Sequence, residues 1–291
     1  MILVVGATGE LGSAIVRRLL GRGERVRALV RKSSDASRVQ ELRGAGAETV
    51  EGDLKDPASL QRACAGIETV VTTANSARRG PPDTVETVDD KGNAALVEAA
   101  KKAGVRRFVF VSALGADQKS PVPFLAAKGK TEQRVRESGI EHTIFEPNIY
   151  MEVWVGAVVL GPAMQGQEIR YVGGDRKHAF ISQEDVADFV VAALRSDAAK
   201  NRTVVLGGPA AVSWNDICVT VERVMGKPLR HRSASPDELN LPPTMVGLIA
   251  ALDTFDSPVP MTETARTFGV RQRTLEETLR GMLQPTLART S

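Results

Sequence analysis

Apolar runs alternate with amphipathic segments along the first 147 residues of the chain. The runs lack the apolar–polar alternation of half-exposed strands, which is typical of parallel strands buried on both faces. They predict strands at Ile2–Val5, Arg25–Val30, Glu48–Glu51, Thr69–Thr72, Phe108–Ser112 and Thr143–Phe145. Because strands and helices alternate at this spacing, we expect right-handed crossovers and an α/β fold with a doubly wound parallel sheet.

Two helices of this region can be placed from the same pattern. Apolar residues recur at every fourth position from Leu11 to Leu19, which predicts one buried stripe on a helix that ends at Gly21. Asp56 and Pro57 form an N-cap followed by proline at the first helical position, so a further helix is expected to begin there.

The pattern loosens after Pro147. An N-cap serine precedes an apolar helical face at Ser182, and a second helix is predicted to follow Ser213. A strand is expected between them at Thr203–Leu206. We therefore expect the elements at about residues 182–206 to return to the sheet of the first region.

The chain is accordingly predicted to have two parts. Residues 1–150 form the α/β domain, and residues 151–291 form mainly a smaller C-terminal region. Residues 236–260 are rich in proline and apolar side chains, and we expect them to cap a pocket.

Composition narrows the classes of protein to which the chain can belong. Hydrophobic residues make up 42% of it and charged residues 25%, which is ordinary for a soluble globular protein. Its 38 basic and 35 acidic residues nearly balance, so the charge does not indicate nucleic-acid binding. Cys64 and Cys218 lie far apart and the three histidines are scattered, so no metal site is expected.

No segment has the pattern of a membrane span or a secretory leader. The longest apolar stretch, Met151–Met164, contains Glu152 and Pro162 and is too short to cross a bilayer. Met1 leads directly into the first apolar strand without a basic segment or a cleavage site. Two lone cysteines are typical of a reducing compartment. We therefore expect a cytoplasmic protein that binds neither membrane nor nucleic acid.

A glycine-rich segment, GATGELG at residues 6–12, joins the first strand to the first helix. Glycine permits a tight turn and a close approach of the backbone to a pyrophosphate, and the helix N-terminus offers free N–H groups. This position predicts a dinucleotide-binding loop; the alternative is a glycine turn in a related fold without cofactor. The residues predicted to contact the cofactor here are Gly6, Thr8, Gly9, Glu10, Leu11 and Gly12.

The end of the second strand distinguishes between the two nicotinamide cofactors. An NAD-binding protein usually carries an acidic residue there for the ribose 2′-hydroxyl. This chain has Arg31 and Lys32, whose cationic groups bind a 2′-phosphate, so NADP(H) is favoured. A solvated basic turn is the alternative interpretation. At the end of the third strand, Asp53 is expected to accept a hydrogen bond from adenine, with Leu54 against the ring.

With these motifs the chain resembles the atypical short-chain dehydrogenase/reductases, specifically the NmrA-like and isoflavone-reductase-like group. The resemblance covers nearly the whole length. It rests on GATGELG at 6–12, LVR at 29–31, GDL at 52–54, AGVRRFVFVSALGA at 103–116, AKGKTEQRVRESGIEHTIFEP at 127–147 and ISQEDVAD at 181–188. It implies an extended Rossmann fold with a small C-terminal substrate region, and a nicotinamide near the end of the sixth strand.

The resemblance also implies further contacts with the cofactor. The segment after the fourth strand would pass beside the ribose and pyrophosphate, where Asn75 is placed to reach a substrate as well, and the end of the sixth strand would face the nicotinamide. The residues implied are Thr73, Ala74, Asn75, Ser112, Lys128, Pro147, Asn148 and Ile149. One departure is Glu146, at a position where many relatives have arginine or asparagine before the proline.

The candidate catalytic residues differ from the usual pattern of this superfamily. A tyrosine commonly lies four residues before the lysine, on the same face of one helix, but here Phe124 precedes Lys128. Phenylalanine has no exchangeable proton, so the Ser–Tyr–Lys system is incomplete. In isoflavone-type reductases the matching lysine is the proposed general acid/base, and Lys128 either takes that role or only binds the nicotinamide ribose. Tyr150 is either a proton donor or a pocket wall.

Two functions follow from these observations. The first is an NADPH-dependent oxidoreductase that transfers a hydride to a quinone, enone or similar apolar electrophile, an acceptor that needs no strong acid. The second is a non-catalytic NADP(H)-sensing regulator that acts through a protein partner, as the NmrA-like resemblance implies for some relatives. A sugar-nucleotide epimerase is a weaker third, because it would need the missing tyrosine. The expected substrate is a small apolar or aromatic molecule, and the pattern is compatible with a homo-oligomer.

Overall fold

The computed structural model describes residues 1–77 and 79–287 of the chain. The chain divides into two compact units, each with a hydrophobic core of its own. The first unit comprises Met1–Pro147 and Val186–Val205. The second comprises Asn148–Asp185 and the chain from Leu206 onward.

The strands of the described residues are β1 (Ile2–Val5), β2 (Val26–Val30), β3 (Glu48–Glu51), β4 (Thr69–Thr72), β5 (Arg107–Val111), β6 (Glu141–Pro147), β7 (Ile169–Tyr171), β8 (Arg202–Leu206) and β9 (His231–Ser233). The α-helices are α1 (Glu10–Gly21), α2 (Ala36–Gly44), α3 (Pro57–Cys64), α4 (Lys91–Lys102), α5 (Pro123–Glu137), α6 (Met151–Val155), α7 (Gly161–Met164), α8 (Gln183–Ala193), α9 (Trp214–Met225), α10 (Pro243–Leu252), α11 (Thr262–Phe268) and α12 (Leu275–Leu287). Short π-helical segments occur at Val85–Asp90 and Gly156–Leu160.

Seven strands form one sheet in the order β3-β2-β1-β4-β5-β6-β8. The pairs from β3 to β6 are parallel, and the chain order reverses between β1 and β4. This topology confirms the predicted α/β fold with a doubly wound, Rossmann-type parallel sheet. In such sheets a ligand usually binds at the reversal, outside the carboxyl ends of the strands.

The strands at the centre of the sheet are buried on both faces. Every residue of β1 and β5 is buried, and the side chains of Leu3, Phe108 and Phe110 are among the core residues. Helix α1 buries the stripe from Leu11 to Leu19. Burial on both faces explains why these strands show no alternation of apolar and polar positions.

The strand boundaries show where the hydrophobic pattern is least informative. β1, β3 and β4 have the predicted limits, whereas β5 lies one residue closer to the N-terminus than predicted. β6 is longer than the predicted Thr143–Phe145, because the polar residues Glu141 and His142 also pair with β5. Ser112 lies just after β5, and its amide donates to the Phe145 carbonyl at 2.7 Å.

The second unit contains elements that the apolar pattern does not reveal. β7 and β9 form a parallel pair, and residues 236–260, which were predicted only as a cap, include α10. The start of α9 is confirmed, because Ser213 and Asp216 form a reciprocal capping box. Among the described residues, no helix is both long and apolar enough to cross a membrane.

Candidate active site

The glycine-rich loop leads directly from β1 into α1. The Gly9 amide donates to the Gly6 carbonyl at 3.0 Å and closes a tight turn. Gly9 is the N-cap residue of α1 and has no side chain with which to cap this helix of 12 residues. The N-terminus of α1 therefore has no side-chain cap, and the acidic residue of its first turn is Glu10.

The three glycines of the loop have different roles. A Cβ on Gly12 would lie 2.1 Å from the Gly6 carbonyl oxygen, and one on Gly6 would lie 2.7 Å from Thr73 Oγ1. A Cβ on Gly9 would meet only the Gly6 carbonyl oxygen, at 3.2 Å. The protein's own packing thus requires Gly6 and Gly12, whereas at Gly9 a side chain would meet a single backbone atom within 4 Å.

The segment after β4 packs against this loop. The Thr73 amide donates to the carbonyl of Val5 in β1 at 3.0 Å, and Ala74 is buried. The Asn75 carboxamide donates to the Thr73 carbonyl at 3.4 Å and accepts from the Ala77 amide at 3.0 Å. The structure therefore brings Thr73 and Ala74 to the glycine loop, while the Asn75 side chain binds within its own turn.

Arg31 lies in a cluster of charges that the sequence pattern does not reveal. Its Nη1 contacts Asp83 Oδ2 at 2.5 Å, Arg79 contacts the same oxygen at 3.5 Å, and the Lys55 ammonium also binds this carboxylate. Asp83 is only 8% exposed. Burial by itself would raise the pKa of Asp83. The hydrogen bond and charge of Lys55, followed by the charges of Arg31 and Arg79, outweigh this and hold the pKa of Asp83 below its usual range. Three cations thus surround one carboxylate.

Asp53, Leu54 and Lys32 lie in different environments. The Asp53 carboxylate accepts from the Lys55 amide at 2.8 Å and from its ammonium at 3.1 Å. Leu54 is buried in the core, where its Cβ would lie 2.8 Å from a Cβ added to Gly92. Lys32 is exposed. The predicted contacts of these residues with the cofactor stay predictions.

Sequence reasoning missed Arg38, which lies beside the glycine loop. Its Nη1 donates to the Thr8 carbonyl oxygen at 3.0 Å. Arg38 lies in the first turn of α2, after the N-cap residue Asp35, which accepts from the Arg38 amide. A basic residue in a first helical turn opposes the helix dipole, and this local mismatch was the available signal.

Lys128 is a buried cation of the first unit. It is 2% exposed, and its Nζ donates to the Val111 carbonyl at 3.0 Å. The ammonium lies 4.8 Å from the ring centre of Phe110 and 5.5 Å from that of Phe124. Burial lowers the pKa of Lys128 to about 8, although nearby carboxylates oppose the shift. The ammonium can therefore lose its proton near physiological pH.

Ser112 is linked to α5 by its side chain. Its hydroxyl donates to the carboxylate of Glu132, a residue that sequence reasoning did not single out. Glu132 also accepts from Arg136 at 2.8 Å, one turn further along α5. The Pro147 carbonyl at the end of β6 accepts from the Leu114 amide at 2.9 Å.

The remaining candidates belong to the second unit. The Asn148 side chain donates to the Ser257 carbonyl at 3.0 Å and to its hydroxyl at 3.1 Å. Ile149 is buried in the core of this unit. Burial, followed by the charge of Glu152, raises the pKa of Tyr150, so its hydroxyl is a weaker acid than usual. Within residues 1–77 and 79–287, no group of three His, Cys, Asp or Glu side chains is arranged to hold a metal ion.

Comparison with known proteins identifies the family. Residues 1–265 match the NmrA-like family. The chain belongs to this family. Membership agrees with the resemblance found in the sequence motifs and with the observed parallel sheet.

Two relatives of the chain have names that give different functions. The chain is 36% identical over 228 residues to the photosystem II assembly factor Ycf39 of Cyanophora paradoxa, covering 78% of this chain and 69% of the relative. It is 32% identical over 258 residues to an NAD(P)H azoreductase of Xenophilus azovorans, covering 87% and 83%. Among solved structures, Citrobacter sp. triphenylmethane reductase complexed with NADP(H) has the same fold, with a TM-score of 0.82. The two sequences are 23% identical, and the match covers 97% of this chain and 100% of that chain.

Proposed function

We propose that this NmrA-like protein is an NADPH-dependent oxidoreductase that transfers a hydride to a quinone, enone or similar apolar electrophile. The observation that carries the proposal is the pairing of an uncapped helix N-terminus, after β1, with the cationic residue Arg31, after the neighbouring strand β2. A pyrophosphate fits the first feature and a 2′-phosphate the second. The azoreductase relative supports the same chemistry, because its name gives NAD(P)H as the reductant.

Different residues of the first unit would bind different parts of the cofactor. The glycine loop would bind the pyrophosphate, and Arg31 the 2′-phosphate. NADPH, when bound, supplies the hydride. Lys128 uses one N–H donor for the Val111 carbonyl in the described structure, so donors are available for the nicotinamide ribose or a substrate.

The missing tyrosine restricts the acceptor. Phe124 lies beside the Lys128 ammonium and has no proton to give. A quinone, enone or azo group delocalises the electron pair that it receives, so it needs less assistance from an acid than a simple ketone. Residues 151–291 are proposed to bind this substrate, with Asn148, Ile149 and Tyr150 beside the nicotinamide and residues 236–260 as the cap.

The test is an assay with the purified protein. NADPH is mixed with single acceptors from a panel of quinones, enones and azo compounds, and the absorbance of the reduced cofactor is followed. We expect acceptor-dependent oxidation of NADPH, with no oxidation by a Gly9→Val control that cannot bind the pyrophosphate. Binding of NADPH without turnover of any acceptor would contradict the proposal.

A second candidate function is a non-catalytic NADP(H)-sensing regulator that acts through a protein partner. Two observations favour it: the phenylalanine at position 124, and relatives named as assembly factors. It predicts that NADPH and NADP⁺ change the affinity of the chain for a partner protein while no acceptor is reduced. The acceptor assay therefore distinguishes the two functions directly.

A further inference from the structure

Residues 253–257, which follow α10, are bound to the chain at residues 177–179 by backbone hydrogen bonds. We call residues 253–257 the strap. The Ser257 amide donates to the Lys177 carbonyl at 2.9 Å, and the Ala179 amide donates to the Ser257 carbonyl at 3.1 Å. All of these residues belong to the second unit. The strap is therefore attached to that unit in a defined register.

Side chains strengthen the attachment at Ser257. The Asn148 carboxamide donates to the Ser257 hydroxyl at 3.1 Å, and His178 Nδ1 lies 2.7 Å from the same oxygen. His178 is only 1% exposed, and its ring packs edge-to-face against Phe180 and Phe255, with ring centres 6.2 and 5.9 Å away. Phe180 belongs to the core of the second unit and Phe255 to the strap. A buried imidazole thus joins the strap to this core.

The donors and acceptors around Ser257 determine where its hydroxyl proton lies. The Ser257 carbonyl can only accept, so the Asn148 atom that lies 3.0 Å from it is the amide nitrogen, and this nitrogen also donates to the hydroxyl. The hydroxyl proton is then available to Nδ1 of His178. In that arrangement Nδ1 accepts, and the ring is neutral with its proton on Nε2.

Protonation of His178 is incompatible with this arrangement. Both ring nitrogens then carry protons, so Nδ1 has to donate to the Ser257 oxygen and the hydroxyl proton loses its acceptor. A positive charge also enters a buried position, which costs free energy. Burial lowers the pKa of His178, while the Leu252 carbonyl and the charges of Asp256 and Asp253 oppose this shift. The closed strap therefore favours the neutral ring.

The charged groups around the ring lie on two segments. Asp253 and Asp256 belong to the strap, and Arg176 and Lys177 directly precede the ring in the chain. Asp256 accepts from the Lys177 amide at 2.8 Å and lies 3.6 Å from the Arg176 guanidinium. Carboxylate, ammonium and guanidinium groups ordinarily keep their charges between about pH 5.5 and pH 8, so the imidazole is the group here that titrates in this range.

We propose that Ser257 and His178 form a pH-sensitive latch, in which a neutral imidazole holds the strap closed and uptake of a proton releases it. The strap directly follows α10, within the residues 236–260 that we propose as the cap of the substrate region. Release of the strap would free the C-terminal end of α10. The latch itself follows from the contacts of the strap, whereas its effect on the cap rests on the proposed function.

The first test measures opening of the strap without cofactor or substrate. Hydrogen exchange of the Ser257 and Ala179 amides is followed between about pH 5.5 and pH 8 and corrected for the intrinsic exchange rate at each pH. We expect constant protection above about pH 7 and a decrease below about pH 6.5, of at most about tenfold per pH unit, because opening takes up one proton. Protection that is independent of pH in this range would overturn the latch.

Three variants assign the effect to its groups. His178→Gln keeps a hydrogen-bonding side chain but takes up no proton in this range, so its protection should not depend on pH. Ser257→Ala removes the hydroxyl and keeps both backbone hydrogen bonds, so protection at about pH 7.5 should be roughly threefold to tenfold lower than in the wild type. His231→Gln changes another histidine of the second unit and should follow the wild type. A pH dependence that survives in His178→Gln, or unchanged protection in Ser257→Ala, would overturn the latch.

A nuclear magnetic resonance titration of the three histidines gives an independent measurement. The pKa of His178 should lie below about 6.5 in the wild type and rise in Ser257→Ala, because the hydroxyl no longer donates to the neutral ring. A pKa of His178 at or above about 6.5 in the wild type would overturn the latch. None of these measurements uses NADPH or an acceptor. Failure of the acceptor assay would therefore contradict only the oxidoreductase proposal, and pH-independent protection would contradict only the latch.

Discussion

The glycine loop after β1 and the hydrogen-bonded side chains of Ser112, Glu132 and Arg136 show two ways in which the first unit brings polar groups together. The loop is built from backbone atoms. Its close contacts require glycine, and these glycines lie within one short segment, residues 6–12. The second group consists of side chains from the end of β5 and from α5, which only the fold brings together. The glycine loop should therefore tolerate changes in neighbouring side chains but not replacement of its glycines. The buried polar side chains should instead be sensitive to the removal of a single charge.

The largest expected effect concerns Lys128, which, like the second group, would act through a buried side chain. If Lys128 is a general acid or base, Lys128→Ala should lower kcat by roughly 10²–10⁴-fold, and Lys128→Arg should not restore it because arginine keeps its proton. If it only binds ribose, the loss should appear in the Kd for NADPH, and arginine should restore part of it. Unchanged kcat and Kd in Lys128→Ala would contradict both roles.

Two glycine variants test whether the loop separates folding from binding. Gly12→Ala places a Cβ 2.1 Å from a backbone oxygen, and we expect it to lower the free energy of unfolding. The loss should be about 1–3 kcal/mol, as is usual for overpacking. Gly9→Val should instead abolish NADPH binding with little change in stability. Urea unfolding and cofactor titration of both variants give the answer, and equal effects on stability would refute the division of roles.

The raised pKa of Glu146 makes a prediction about stability that needs no substrate. The pKa of Glu146 is raised from 4.5 to about 7 in the folded state, so this group stabilises the fold below its unfolded pKa. That contribution is lost as the pH rises through about 7. The wild type should therefore lose on the order of 1 kcal/mol relative to Glu146→Gln between about pH 4.5 and pH 8, after allowance for solvent screening. A constant difference between the two proteins would contradict the raised pKa of Glu146.

Arg31 should determine the choice of cofactor. We expect NADPH to bind the wild type at least about tenfold more tightly than NADH, a difference of about 1.4 kcal/mol. Arg31→Ala should remove most of this preference by weakening NADPH binding alone. Titration of both cofactors against both proteins tests this, and equal affinities in the wild type would overturn the assignment of Arg31.

The smallest expected effect concerns Asp83, whose carboxylate forms an ion pair with the guanidinium of Arg31 at 2.5 Å. Asp83→Asn removes a carboxylate that competes with the 2′-phosphate, so NADPH should bind about threefold more tightly, within the range of a partly exposed ion pair. Asp90→Asn, which changes a paired aspartate at α4, is the control. Weaker binding in Asp83→Asn would show that Asp83 positions Arg31 for the phosphate instead.

Several features of the fold could be predicted because they depend on neighbours in sequence. The limits of β1, β3 and β4, the apolar stripe of α1 and the capping box of α9 agree with the local pattern. The polar first residues of β6 escaped prediction because pairing with β5, rather than their own character, makes them part of a strand. In the same way, α10 lies in a segment whose prolines and apolar residues show no clear helical period.

By itself, the sequence determined the parallel sheet, the position of the glycine loop, the family and the absence of a tyrosine at position 124. These properties follow from short-range requirements: burial on two faces, backbone conformations open to glycine, and the presence or absence of a hydroxyl. Only the tertiary structure decided that Asp83 binds three cations, that Arg38 reaches Thr8, and that Ser112 meets Glu132. Charges interact through space over a few ångströms, and no local pattern records which distant residues the fold brings within that distance.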